Sequence, residues 1–274
     1  MAKLKPGQGI PSYEASPDEY KVICENMTGK LVHMRLKAGE SDKPHDHATH
    51  YMYVLKGGTV DIDSETEPKG VKTLPSGAAV KMPPGPHQVT NVGKEDIEML
   101  MVEVTGELGP SPEGHVSPLS TDPKCYEVMF EDEDWFVGKM TMKAGTQDHA
   151  HSHRHHLIYA AAGDQLTIYP GEDANMQAGS DKKLVVDIKP GMAFPAPDGF
   201  HIVANSGKQD CKLIFWEPKV KQYVTLFRSI VRKYWFGACT LIFTLVSLLP
   251  PNPAKPDLQS IWPENGLGMT GSWI

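Results

Sequence analysis

The chain has 274 residues, enough for one or two domains that each bury a core. With 40% hydrophobic and 22% charged residues it is not a disordered chain. A net charge of -7 and the lack of a long basic run argue against a nucleic-acid partner. In chain order, residues 1–14 are read as an N-terminal arm. The opening "MAKLKPGQGIPSYEASPDEY" has no apolar core segment, so a secretory signal is not expected and the chain is read as cytoplasmic. Cys24, Cys125, Cys211 and Cys239 are scattered singly, which fits neither a disulfide framework nor a CxxC metal site.

After the arm the chain is written twice. "YKVICENMTGKLVHMRLKAGE" from Tyr20 is similar to "YEVMFEDEDWFVGKMTMKAGT" from Tyr126, 106 residues on. His45 and His151 keep that offset. "GAAVKMPPGPHQVTNVGKED" from Gly77 then matches "GMAFPAPDGFHIVANSGKQD" from Gly191 at an offset of 114, so the second copy holds eight extra residues within 164–190. "MLMVEV" (99–104) and "LIFWEP" (213–218) keep the offset of 114. The repeat sets domains at 15–108 and 121–220, with a linker rich in Pro, Gly and Ser at 109–120.

Inside each copy the runs are short and strand-like. "YMYVLKGGTVDID" and "LIYAAAGDQLTIYP" each read as two strands turned by Gly, and neither copy sustains a helical period. An all-β sandwich or barrel is expected. Asn91 and Asn205 close polar turns and are read as turn formers.

"HDHATHYMY" from His45 and "HSHRHHLIY" from His151 carry the chemistry. Residues two apart on a strand face the same side, so His45 and His47 project together, as do His151 and His153. A third ligand has to come from elsewhere. His87 and His201 offer it, each in the context Pro-x-Gly-x-His, where Gly permits a sharp turn and Pro stiffens it. Neutral imidazoles converging on one point suit Zn, Fe, Cu, Ni or Mn. His149 and His155 have no counterpart in the first copy and are read as rim residues, and His33 and His115 as surface or packing histidines.

With these residues the chain resembles the cupins, and specifically a bicupin, two cupin domains in tandem. Gly39, His45, His47 and Gly58 match the first cupin motif, G-x5-H-x-H-x(3,4)-E-x6-G; Gly145, His151 and His153 match it in the second copy. Gly77, Pro83, Gly85, His87 and Asn91 match the second motif, G-x5-P-x-G-x2-H-x3-N, as do Gly191, Pro197, Gly199, His201 and Asn205. Both copies have one residue fewer between Gly and His than that pattern. The resemblance implies two double-stranded β-helix (jelly-roll) barrels, each with one divalent transition metal. It also allows a homodimer.

The family's glutamate ligand is missing from both copies. Counting from the second histidine puts Tyr51 and Leu157 in its place; counting back from the "YVLKG"-like strand puts His50 and His156 there, and the second count is favoured. His50 needs a bulge or bend to reach the side of His47. His50 and His156 are therefore either fourth ligands or residues stacked beside the site. Without a glutamate the metal keeps its full charge, which suits a small anionic ligand or substrate. Ring-cleaving bicupin dioxygenases with three-histidine iron sites are a family precedent, and a Lewis-acid isomerase or lyase is another enzymatic option. A non-catalytic metal or small-ligand (sugar or organic acid) module is the other class.

After Lys221 the character changes. Residues 221–274 hold an uncharged run of 16 residues, Tyr234–Leu249, preceded by Arg232 and Lys233 and ended by Pro250-Pro251. As a helix it would span roughly 24 Å, slightly short of a bilayer's hydrocarbon core. Two readings stand side by side: an apolar helix that tethers the chain to a membrane, and a buried helix that closes a barrel or a dimer interface.

Overall fold

The computed structural model describes residues 7–64, 69–106, 113–179 and 182–219. The expected C-terminal apolar helix, including the run 234–249, lies outside the described residues, so neither the helix nor the tether is supported by what is described. Among the described residues no helix is long and apolar enough to cross a membrane.

The first copy runs α1 (Ser12–Ala15), β1 (Tyr20–Glu25), β2 (Gly29–Leu36), β3 (His45–His47), β4 (His50–Lys56) and β5 (Gly58–Ser64). It continues with β6 (Gly70–Leu74), β7 (Ala79–Met82), β8 (Gly85–Asn91) and β9 (Ile97–Val104). The second copy repeats the series as α2 (Pro118–Thr121), β10 (Tyr126–Glu131), β11 (Trp135–Met142), β12 (His151–His153), β13 (His156–Ala162) and β14 (Gln165–Gly171). Its last strands are β15 (Leu184–Asp187), β16 (Ala193–Ala196), β17 (Gly199–Ala204) and β18 (Cys211–Pro218).

Each copy forms two antiparallel sheets. In the first they have the orders β1-β2-β9-β4-β7 and β3-β8-β5-β6; in the second, β10-β11-β18-β13-β16 and β12-β17-β14-β15. The all-β expectation holds, and the strand order is the same in both barrels. Ile62 pairs with Val89 and Ile168 with Val203, so β14 still keeps the offset of 106. Val60 pairs with Lys72 and Leu166 with Val186, so β15 already runs at 114. The eight extra residues therefore fall in the connection between β14 and β15.

The five-stranded sheets are buried on both faces, which explains their near-continuous apolar runs. On β9, Met99 and Met101 point into the first barrel, while Leu100 and Val102 point out into a layer shared with the second. On β18, Leu213 and Phe215 face inward, while Ile214 and Trp216 face that same layer. The shared layer also holds Leu31, Tyr51, Trp135 and Leu157. Polar links cross it: Trp216 Nε1 donates to Tyr51 O at 3.0 Å, Asn26 Nδ2 to His156 O at 3.2 Å, and Tyr51 Oη to Asp132 at 3.0 Å.

The residue between the two close histidines pins a strap. Gly7 N and Gly9 N donate to the Asp46 carboxylate at 2.9 and 2.7 Å, and Asp46 N donates to Ile10 O at 2.8 Å. Val116 N donates to Ser152 Oγ at 3.0 Å, and Ser152 N to Val116 O at 2.8 Å. Each barrel thus has the same short helix and strap in front of β1 or β10. Asn91 and Asn205 act as turn formers: each donates through Nδ2 to two carbonyls, Leu36 O and Glu95 O in one case, Met142 O and Gln209 O in the other.

Candidate metal centres

The histidines are brought together by strand register. In the ladder between β3 and β8, His45 stands opposite His87 and His47 opposite Gly85; between β12 and β17, His151 stands opposite His201 and His153 opposite Gly199. Gly85 and Gly199 have φ of 151° and 129°, a backbone conformation open to glycine, so the sharp turn expected of Pro-x-Gly-x-His is present. In each barrel the three rings converge. His45, His47 and His87 offer donor atoms that all lie within 4.8 Å of one another, and so do His151, His153 and His201.

Hydrogen bonds fix which nitrogen faces the centre. His45 Nδ1 lies 2.8 Å from Lys43 O, and His151 Nδ1 lies 2.8 Å from His149 O. A carbonyl only accepts, so Nδ1 carries the proton and donates, leaving the Nε2 lone pair for a ligand. His47 Nδ1 meets Glu103 Oε1 at 2.6 Å, and His153 Nδ1 meets Glu217 Oε2 at 2.5 Å. A carboxylate or carbonyl behind a metal-facing imidazole is the arrangement that orients such a ring and raises its basicity.

The residues fit a cation. His45 Nε2 and His47 Nε2 lie 2.8 Å apart. With Nδ1 protonated on both rings, two lone pairs face each other at that distance, an arrangement relieved by a shared positive centre. His151 Nε2 is buried and has no hydrogen-bond partner among the described residues. An orphaned buried acceptor carries a desolvation cost that a metal bond removes. Burial favours the neutral form of seven of these imidazoles: it pushes His47, His153 and His201 well below the usual histidine range, lowers His45 and His151, and takes His50 and His156 down to about 3. Neutral imidazole is the ligand form. Burial also pushes the Glu103 and Glu217 carboxyls up.

Tyr51 and Leu157 face the layer between the barrels, away from both centres. His50 and His156 face inward, their rings 4.5 Å from those of His47 and His153. The expected bend is present: β3 ends at His47, Thr49 forms a bend, and β4 begins at His50 in the other sheet. His50 Nδ1 donates to Ala48 O at 3.0 Å and His156 Nδ1 to Arg154 O at 2.7 Å. Neither belongs to the set of three mutually close donors in its barrel. His149 and His155 sit outside the triads, paired with Asp122 and Asp198 at 2.8 and 3.1 Å, and His33 pairs with Glu98 at 2.6 Å. His115 packs against Ser152, with Nδ1 2.9 Å from Oγ.

Glu103 and Glu217 stand at equivalent positions of the two copies, within "MLMVEV" and "LIFWEP". Their recurrence at equivalent positions was the available signal. Two buried tyrosines were missed: Tyr20 Oη donates to Asp42 at 2.7 Å and Tyr126 Oη to Asp148 at 2.6 Å. Asp42 and Asp148 also accept from Val89 N and Val203 N on the strands that carry His87 and His201. These pairs brace the triads.

No family model matches the chain, and no curated protein matches it. Solved structures do. A cupin 2 conserved barrel domain protein from Leptotrichia buccalis is 11% identical, with a TM-score of 0.43, covering 79% of this chain and 92% of that one. A point mutant of salicylate 1,2-dioxygenase from Pseudoaminobacter salicylatoxidans is 9% identical, with a TM-score of 0.49, over 76% of this chain and 77% of that one. Oxalate decarboxylase is 16% identical, with a TM-score of 0.49, over 78% and 74%. Identities this low carry no activity across. The chain's own duplicated motifs, its repeated strand order and its two histidine triads fit a tandem pair of cupin-like barrels.

Proposed function

We propose that the chain is a metal-dependent enzyme, an oxygenase acting on a small anionic substrate, with one divalent transition metal in each barrel. His45, His47 and His87 would hold one ion, and His151, His153 and His201 the other. The observation that carries this reading is the donor set: three converging imidazoles in each barrel, with His45, His47, His151 and His153 buried and anchored through Nδ1, and no carboxylate among the mutually close donors. His50 and His156, anchored through Nδ1 in the same way, are the candidates for a fourth position.

When bound, the metal supplies Lewis acidity and, if it is iron, access to O2 chemistry. The chain's own residues do the rest. Glu103 and Glu217 hold His47 and His153 in the ligand tautomer. The apolar walls of each barrel exclude water, which strengthens the attraction between the centre and an anion. The second reading, a non-catalytic metal or small-ligand module, is favoured by one feature. The carboxylates described beside the triads are already engaged, Glu103 and Glu217 by histidine and Asp42 and Asp148 by tyrosine, so none of these four is poised as a general base.

Metal analysis of the full chain purified without added metal, followed by O2 uptake with small acids, separates the two. Stoichiometric iron with substrate-dependent O2 uptake is expected. Tightly held zinc, or no metal, together with no uptake would overturn the oxygenase reading.

A further inference from the structure

The second barrel encloses a cavity of about 390 Å³ beside its triad, towards the lower end of the usual range for small-ligand sites. His153, His156 and His201 line part of it. The rest of the wall is apolar, built chiefly by Ile158, Leu166, Phe194, Phe200, Leu213 and Phe215. Leu184 also lines it and is 57% exposed, which places the opening beside the edge strand β15.

Two features of the lining bear on what it would hold. No Lys or Arg is among the described lining residues. Among the described lining residues, an anionic group entering the cavity would therefore find a positive partner only in a metal held by the histidine triad. The lining carboxylate, Asp198, is paired with His155 at 3.1 Å. Tyr126, another polar lining residue, donates its hydroxyl to Asp148. A ligand with polar groups along its body would leave them unpaired against Ile, Leu and Phe, which is unfavourable. A polyhydroxylated sugar does not suit this wall, and neither does a short dicarboxylate.

Several residues that border this space differ from their counterparts in the first barrel. Ala196 stands opposite His156, where Met82 stands opposite His50 in the first barrel. Leu213 and Phe215 occupy the positions of Met99 and Met101, and Val186 that of Lys72. The second barrel thus has a smaller residue beside the triad and an uncharged one at its edge strand.

We propose that the second barrel takes a small carboxylate with an apolar body, branched aliphatic or aromatic, with its carboxylate at the triad and its body against the Ile158, Leu213 and Phe215 wall. The proposal deepens the reading of the triads as metal sites and rests on it. It says which barrel selects the substrate and by what chemistry.

Calorimetric titration of the full chain, loaded with Ni(II) and checked for two ions per chain, tests it. The ligands are acetate, 4-methylpentanoate, phenylacetate and phenylacetamide. Burial of each CH2 tightens binding roughly fourfold, so 4-methylpentanoate is expected on the order of 100-fold tighter than acetate. Phenylacetate should exceed phenylacetamide by at least about tenfold, because the amide carries no charge to offer the metal. His201→Ala should abolish binding of 4-methylpentanoate and phenylacetate. Ala196→Met, which places the first barrel's residue in the second, should reduce the gain from acetate to 4-methylpentanoate to less than about fivefold. Val186→Trp, on the edge strand, fills the same space by another route should Ala196→Met fail to fold. Two ions bound with a flat acid series would overturn this proposal and leave the metal reading standing. Failure to bind metal at all would remove the metal reading, and the carboxylate half of this proposal with it.

Discussion

The first barrel packs Met52, Met82, Met99 and Met101 where the second packs Ile158, Ala196, Leu213 and Phe215, yet both present the same histidines in the same register. The triads are independent of the lining because they are held by other means. Strand pairing sets their positions, and Lys43 O, Glu103, His149 O and Glu217 set the tautomers of His45, His47, His151 and His153. Lining residues only have to fill or leave space. Flexible Met side chains fill irregular gaps. Leu, Ile and Phe are stiffer and, with Ala196 among them, border a cavity. One frame can therefore keep its centre and change what sits beside it.

Truncating one lining residue in each barrel should test that contrast most strongly. Phe215→Ala enlarges an existing cavity that its stiff neighbours do not close, and is expected to cost about 3–5 kcal/mol. Met101→Ala leaves a gap that Met52 and Met99 can enter, and should fall near the lower end of about 2–5 kcal/mol. Urea unfolding of both variants measures this; equal losses would remove the packing half of the comparison.

The carboxylates should distinguish the barrels next. Glu103→Gln and Glu217→Gln are each expected to weaken metal binding in their own barrel by about 10–100-fold. Glu217 also accepts from Arg154 N at 2.7 Å, so its loss should be the larger of the two. Competition with a chelator gives the affinities, and unchanged values in both variants would deny these residues a role behind the histidines. Trp216→Phe removes the indole bond to Tyr51 O across the shared layer and should cost about 1–3 kcal/mol, read by the same unfolding experiment. The smallest effect is expected at Lys81, whose ammonium meets Asp132 across the barrels at 2.6 Å but is 36% exposed. Lys81→Ala should cost less than about 1 kcal/mol, less still in high salt.

The triads were legible because their spacing is local: two histidines two apart, and a third in Pro-x-Gly-x-His, written twice. That the two barrels share one strand order followed from the same repeat. Glu103 was not legible as the partner of His47, because the two are 56 residues apart and meet only when β9 lies beside β4. The layer between the barrels was also hidden. Its signal was the unbroken apolar runs at 99–102 and 213–216, which a sheet with one wet face would not carry. Tyr51 shows what counting without a register misses: it sits where the less favoured count places the missing ligand but points into that layer, because the bend at Thr49 resets which side the next residue faces. The cavity beside the second triad was out of reach, since it depends on Ala196 and Leu213 leaving space together, which no single position reveals.

The central claim is that each barrel holds one metal through its own triad. Titrating the stripped full chain with a divalent transition metal, and counting bound ions by elemental analysis, tests it directly. The account predicts two ions for the parent chain, one for His87→Ala, one for His201→Ala and none for the double variant, with circular dichroism confirming that each variant is folded. A parent chain that binds fewer than two ions, or folded triad variants that keep both, would contradict it.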